Sequence, residues 1–217
     1  MRNLFLPAAE KRRQFELRAL GLREFAGVTE DQPLDPFALA SFARLLVVDF
    51  NSIEGLSEES RAHLLGAATD EWSGGACSRP LPDGWRLVIL NPAHGEQRNR
   101  ATLMEEVAHV FLGHQANRLA TLTDDHQTGQ STESVNQPGR RVLARDYNHA
   151  DEEAAYAVGA AALVPFAALR RRVFEGQSSR DIGRHFRVSR QLAEYRIKVT
   201  HLWPEYKSIS ATRPEHV

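Results

Sequence analysis

The string Thr102-Leu103-Met104-Glu105-Glu106-Val107-Ala108-His109-Val110-Phe111-Leu112-Gly113-His114 constrains this chain more than any other stretch. At about 100° per residue, its leucines, valines, Met104, Ala108 and Phe111 fill one broad apolar arc. Glu105, Glu106, His109 and Gly113 fill the narrow remainder. A helix that apolar has to be covered on most sides by other elements. Residues 154–164 make the same demand, because they consist of Ala, Val, Gly and Leu with one tyrosine behind an acidic start, Asp151-Glu152-Glu153. Two buried helices with carboxylates at their polar margins are therefore the minimum the fold must accommodate.

The other signals are mostly helical. Asp35-Pro36 reads as an N-cap followed by proline in the first turn, and Ser57 opens a further short helix closed by Gly66. Asn148 with Asp151 opens the small-residue helix, which is interrupted near Pro165. Leu45–Val48 and Trp85–Leu90 are strand-like, the second following the breakers Gly74-Gly75, Pro80, Pro82 and Asp83-Gly84 and closed by Asn91-Pro92. The expectation is an α+β fold with several helices around a small, mostly antiparallel sheet. Its organisation is expected as an N-terminal helix and linker over 1–33, a central domain over 34–165 and a basic segment over 166–217. Residues 124–139 hold almost no apolar side chains and are expected to form a mobile loop.

Charge and composition exclude several classes. The 217 residues carry 27 Lys and Arg against 28 Asp and Glu, so the whole molecule has no electrostatic grip on a polyanion. One cysteine, Cys77, cannot form an internal disulfide. The amino terminus lacks the apolar run of a signal peptide, and Tyr156–Leu169, broken by Gly159 and Pro165, is too short to span a bilayer. A cytoplasmic protein with no membrane partner is expected. Local charge tells more. Residues 166–198 hold nine basic and three acidic side chains, spaced on a helical pair whose apolar positions resemble a helix-turn-helix core. Arg184, Arg187, Arg190, Arg196 and Lys198 could meet DNA phosphates there. The competing reading is that the pair closes the central domain, or docks an acidic partner.

The chemistry sits on the first helix. Glu105 and His109 are four apart and project from one face, with Glu106 beside them. This is the geometry of the H-E-x-x-H helix, whose outer residues hold a metal and whose Glu activates its water. The alternative is a solvated polar face. The carboxylates at 151–153 are either first-turn charges favoured by the helix dipole or the source of a further ligand. His114 reads as a helix-end cation. Trp72, Trp85 and Trp203 read as packing residues.

In order and spacing, the chain from about Leu34 to Leu202 resembles the ImmA/IrrE-type metallo-endopeptidases. The pieces that carry the resemblance are Leu34-Asp35-Pro36-Phe37-Ala38-Leu39-Ala40, the Trp72-Ser73 strand, and Leu87-Val88-Ile89-Leu90-Asn91-Pro92. They continue with Arg98 or Arg100, the Thr102 helix, and Glu153-Ala154-Ala155-Tyr156 leading to Leu163-Val164-Pro165. The resemblance implies a zincin-like helical domain. It implies Glu106 as general base, with His109 and Glu153 as metal ligands and Glu105 in the place of the first ligand His. The stretch from Glu153 to Pro165 is one residue longer than the family pattern, which leaves Glu152 as the alternative ligand. The implied metal is zinc, with manganese or iron favoured more by two carboxylates than by two imidazoles. The implied partner is a protein substrate, such as a transcriptional repressor.

Overall fold

The computed structural model describes residues 6–77, 80–114, 119–121, 143–145 and 148–211. Its elements follow in the order α1 (Glu10–Phe25), α2 (Pro36–Phe42), β1 (Leu45–Val48), α3 (Glu58–Leu65), β2 (Gly74–Ala76) and β3 (Arg86–Leu90). Then come α4 (Glu96–Phe111), β4 (Leu119–Thr121), β5 (Leu143–Arg145) and α5 (His149–Leu163). The chain closes with α6 (Phe166–Phe174), α7 (Ser179–Phe186), α8 (Arg190–Val199) and α9 (Trp203–Ala211). This is an α+β fold. The segment 124–139, expected to be a mobile loop, lies outside the described residues.

Local chemistry fixes most helix starts. The Asp35 carboxylate accepts from the Phe37 amide at 3.2 Å. The Ser57, Ser178 and Ser189 hydroxyls accept from the third amide onward at 3.1 Å each. The Asn148 side chain accepts from Ala150 at 3.1 Å. Each bond satisfies an amide that the first turn leaves without an intrahelical partner.

The sheet is three-stranded and mixed, in the order β1-β3-β2. β3 runs antiparallel to β2, with Gly75 opposite Ile89, and parallel to β1, with Leu46 opposite Leu87. The parallel pair is possible because α3 and β2 supply the long connection that parallel neighbours require. β4 and β5 form a separate antiparallel ribbon, so two of the three described ladders are antiparallel.

The core lies around α5, which packs on α4 on one side and on α1 on the other. Its alanines from 155 to 162, with Val158 and Leu163, are all buried. Small side chains let the backbones approach closely. A Cβ added at Gly159 would sit 3.2 Å from the Met104 carbonyl oxygen, tighter than nearly all real contacts.

Beneath this layer, the buried Glu16 carboxylate of α1 meets the Arg196 guanidinium of α8 at 2.6 Å. Arg196 also donates to the Val164 carbonyl at 3.0 Å. Arg196, expected among the phosphate-contacting residues, is thus an internal fastener. Its side chain is 4% exposed and joins three helical segments. Trp203 opens α9, where its ring stacks on Tyr206 at 5.4 Å and lies under the Lys198 ammonium at 4.8 Å. No single described helix is long and apolar enough to cross a membrane, although α5 and α6 pass together on length and composition with a bend of 55° between them.

Candidate metal centre

α4 is aimed by its approach. Asn91, fully buried, donates to the carbonyls of Thr69 at 2.9 Å and Trp72 at 3.1 Å, and its own carbonyl accepts from Ala93 at 2.9 Å. One amide side chain therefore locks the end of β3, the entry to β2 and the turn leading into α4. Two arginines then act at different places. Buried Arg100 donates to the Leu34 carbonyl at 2.6 Å and to Asp35 at 3.2 Å, tying α4 to α2. Arg98 donates to the Ser73 hydroxyl at 3.0 Å and lines a cleft.

That cleft, about 410 Å³, runs between β2, α4, α5 and the turn before α8. Glu105, Glu106, His109, Glu152 and Tyr156 line it, together with Ser189 and Gln191. At its floor, one ligand atom each from Glu105, His109 and Glu152 lies within 4.8 Å of the other two. His109 Nε2 is 3.4 Å from Glu152 Oε2, and both side chains are mostly buried. Glu106 stands in the same wall as the expected base.

The expected third ligand needs correction. Glu153 is turned toward α1, where its carboxylate takes the Lys11 ammonium at 2.7 Å. Glu152 occupies the facing position instead. Glu152, Tyr156, Gly159 and Leu163 follow one another at four, three and four residues, the spacing of a single helix face. Gly159 is the point where that face meets α4, so Glu152 must face α4 too. Glu153 lies about 100° round, toward α1.

Two further residues belong to the site. Gly113 (φ 72°) turns the chain back after α4, and the His114 amide bonds the His109 carbonyl at 3.0 Å. The two imidazoles then meet edge to face, with Nδ1 to Nδ1 at 3.0 Å. His114 Nε2 is in turn 3.6 Å from Asp151. If His109 offers the lone pair of Nε2 to an ion, its Nδ1 holds the proton and donates to His114 Nδ1. The His114 proton then sits on Nε2, facing Asp151. His114, expected to be a helix-end cation, thus fixes the His109 ring from behind. Tyr156 is the other addition, lining the cleft from one turn beyond Glu152.

Electrostatics single out the same cluster. Burial, reinforced by the negative charges of Glu106 and Glu152, pushes the Glu105 carboxyl up to about 7 from its ordinary 4.5. Burial lowers the His109 imidazole, against the pull of Glu152. Burial also raises the Tyr156 phenol, helped by Tyr195 and Glu105, so it stays protonated. Three carboxylates and an imidazole in one half-buried cleft form a donor set short of positive charge. A divalent cation would supply it. Oxygen and nitrogen ligands around one ion at ~2.0–2.2 Å stand a little over 3 Å apart, a separation small side-chain rotations can reach from here. The residues present therefore fit a metal ion.

No curated protein and no solved structure gives a significant match to the chain. The family model Peptidase_M78, described as the IrrE N-terminal-like domain, matches residues 76–198. The matched stretch is more than half of the chain and contains Glu105, Glu106, His109, His114 and Glu152. A helix bearing the acid–acid–x–x–His face, an acid from the packed neighbouring helix, and the family model covering both agree: this chain belongs to the Peptidase_M78 family of IrrE N-terminal-like domains.

Proposed function

We propose that the protein is a metal-dependent endopeptidase acting on a regulatory protein such as a transcriptional repressor. The observation that carries this reading is the meeting of Glu105, His109 and Glu152 at the floor of an open cleft with Glu106 in its wall. Those three residues would hold the metal, zinc by the family resemblance and manganese or iron by the carboxylate-rich donor set. When bound, the metal supplies a Lewis acid that polarises the scissile carbonyl and makes its water more acidic. Glu106 is the carboxylate that accepts a proton from the attacking water and returns it to the leaving amine. Tyr156, held protonated, is a hydrogen-bond donor for the oxygen that gains charge as the carbonyl is attacked.

A second reading is favoured by one specific residue. Glu105 adds a negative charge where the family resemblance implies an imidazole, which weakens the ion as a Lewis acid. A relative of this kind would bind a regulator without cutting it.

One experiment separates the two. Protein stripped by chelator and reloaded with zinc is analysed for metal beside His109→Ala, and its hydrolysis of quenched fluorescent casein is followed. The wild type is expected to retain about one metal per chain and His109→Ala none. Glu106→Gln is expected to keep the metal and lose hydrolysis, whereas Glu105→His is expected to raise both zinc affinity and hydrolysis. A wild type that retains no metal sinks the endopeptidase reading. Metal without hydrolysis in both the wild type and Glu105→His selects the regulator-binding reading.

A further inference from the structure

Beside the metal cleft lies a second hollow of about 400 Å³, lined by Gln97, Arg180, Arg184, Val188 and Arg190. Adjacent residues of the same elements line the two hollows. Gln97 precedes the cleft residue Arg98, and Val188 and Arg190 flank the cleft residue Ser189. Arg180 and Arg184 are four apart on one face of α7, and Arg190 is the first residue of α8. A tight turn brings them together. A Cβ at Gly183 would sit 2.9 Å from the Val188 carbonyl oxygen, so α7 lies almost on the strand of chain entering α8. Residues 178–191 hold four arginines and a single acid, Asp181. Arg184 contacts Asp181 at 3.2 Å and Arg190 contacts Glu194 at 2.6 Å, and all three hollow-lining arginines are exposed.

We propose that this arginine hollow receives an acidic side chain of the peptide whose neighbouring residues lie in the metal cleft. The proposal deepens the endopeptidase reading and rests on it. The charge pattern gives the substrate a polarity. Glu105, Glu106 and Glu152 repel an acid at the scissile bond, whereas guanidiniums a short distance away attract one and can bind its carboxylate through paired N–H donors. The substrate class is therefore a peptide with uncharged residues at the cut and an Asp or Glu displaced toward the α7–α8 turn. DNA is the less suitable anion. The basic residues of α8 beyond Arg190 are engaged in the fold, Arg196 with Glu16 and Lys198 over Trp203.

The test uses full-length Glu106→Gln protein, so that a bound peptide is not cut. The probes are a fluorescein-labelled Ala/Gly peptide carrying Asp at alternate positions in one half, its Asn counterpart, and a short mixed-sequence DNA duplex. Binding is read by anisotropy at low salt. The Asp peptide is expected to bind about fivefold more tightly than the Asn peptide. Adding Arg180→Gln and Arg184→Gln should remove that difference, and Lys at both positions should restore most of it. Both side chains are exposed, so the fold tolerates these changes. Equal binding of the two peptides overturns the proposal, as does tighter binding of the duplex that the Asp peptide cannot displace. Zinc content of the same samples reports on the endopeptidase reading separately. Metal-bound protein that ignores Asp sinks the arginine hollow alone. Metal-free protein that still prefers Asp sinks the endopeptidase reading and leaves the hollow as an acid-binding site.

Discussion

Glu105 brings the competing demands on this molecule into one side chain. It stands among carboxylates in a half-buried cleft, and without a cation its proton is retained to about pH 7. The unfolded chain releases that proton near 4.5, so between these values the native state binds more protons. This carboxyl therefore lowers native stability as pH rises from about 4.5 to 7. His109 acts oppositely. Its lowered basicity costs stability as pH falls below its ordinary value of 6.5. Comparison with Glu105→Gln isolates the carboxyl. In chelator, Glu105→Gln is expected to match the wild type near pH 4.5 and to exceed it by up to ~3 kcal/mol at pH 8, read by urea titration. A gap that stays constant with pH would show that Glu105 has ordinary acidity.

At the level of elements, the α4–α5 pair makes the cleft and the α1–α8 pair supports it. The support rests on the Glu16–Arg196 bridge, with both partners almost wholly buried. Such a pair adds little beyond what well-packed apolar residues would give, but breaking it strands a charge. Arg196→Met is therefore expected to cost ~3–5 kcal/mol, and adding Glu16→Gln should recover a substantial part. The measurement is a double-mutant cycle of unfolding free energies. Strict additivity of the two changes would mean that the bridge is not formed in solution.

For the whole molecule, the three candidate ligands come from two helices separated in sequence by the ribbon strands β4 and β5. An ion held by Glu105, His109 and Glu152 therefore links α4 to α5, and it binds the native state alone. At a metal concentration about a hundredfold above the dissociation constant, the gain is ~2.7 kcal/mol. For a chain of this length, that corresponds to a rise in Tm of ~5–10 °C. Thermal scans with zinc and with chelator are expected to show this shift in the wild type and to lose it in His109→Ala. An equal shift in His109→Ala would place the ion elsewhere.

What the sequence determined by itself is local. Asp35, Ser57, Asn148 and Ser178 announce helix starts because a cap bonds amides two or three residues away and needs nothing else. The 105/106/109 face was legible for the same reason, since a helix fixes the angle between its own residues. The tertiary structure decided whatever depends on how one element is rotated against another. Glu152 and Glu153 are equally good acids at the start of one helix, and the close contact of Gly159 with Met104 turns the first, not the second, toward α4. The parallel β1–β3 pairing depends on a crossover no local signal specifies. Arg196 looks in sequence like its exposed neighbours Arg187 and Arg190, and only the arrival of Glu16 from the far end of the chain makes it a buried fastener. His114 becomes part of the site only because Gly113 folds it back onto His109, with Asp151 waiting across the gap between helices.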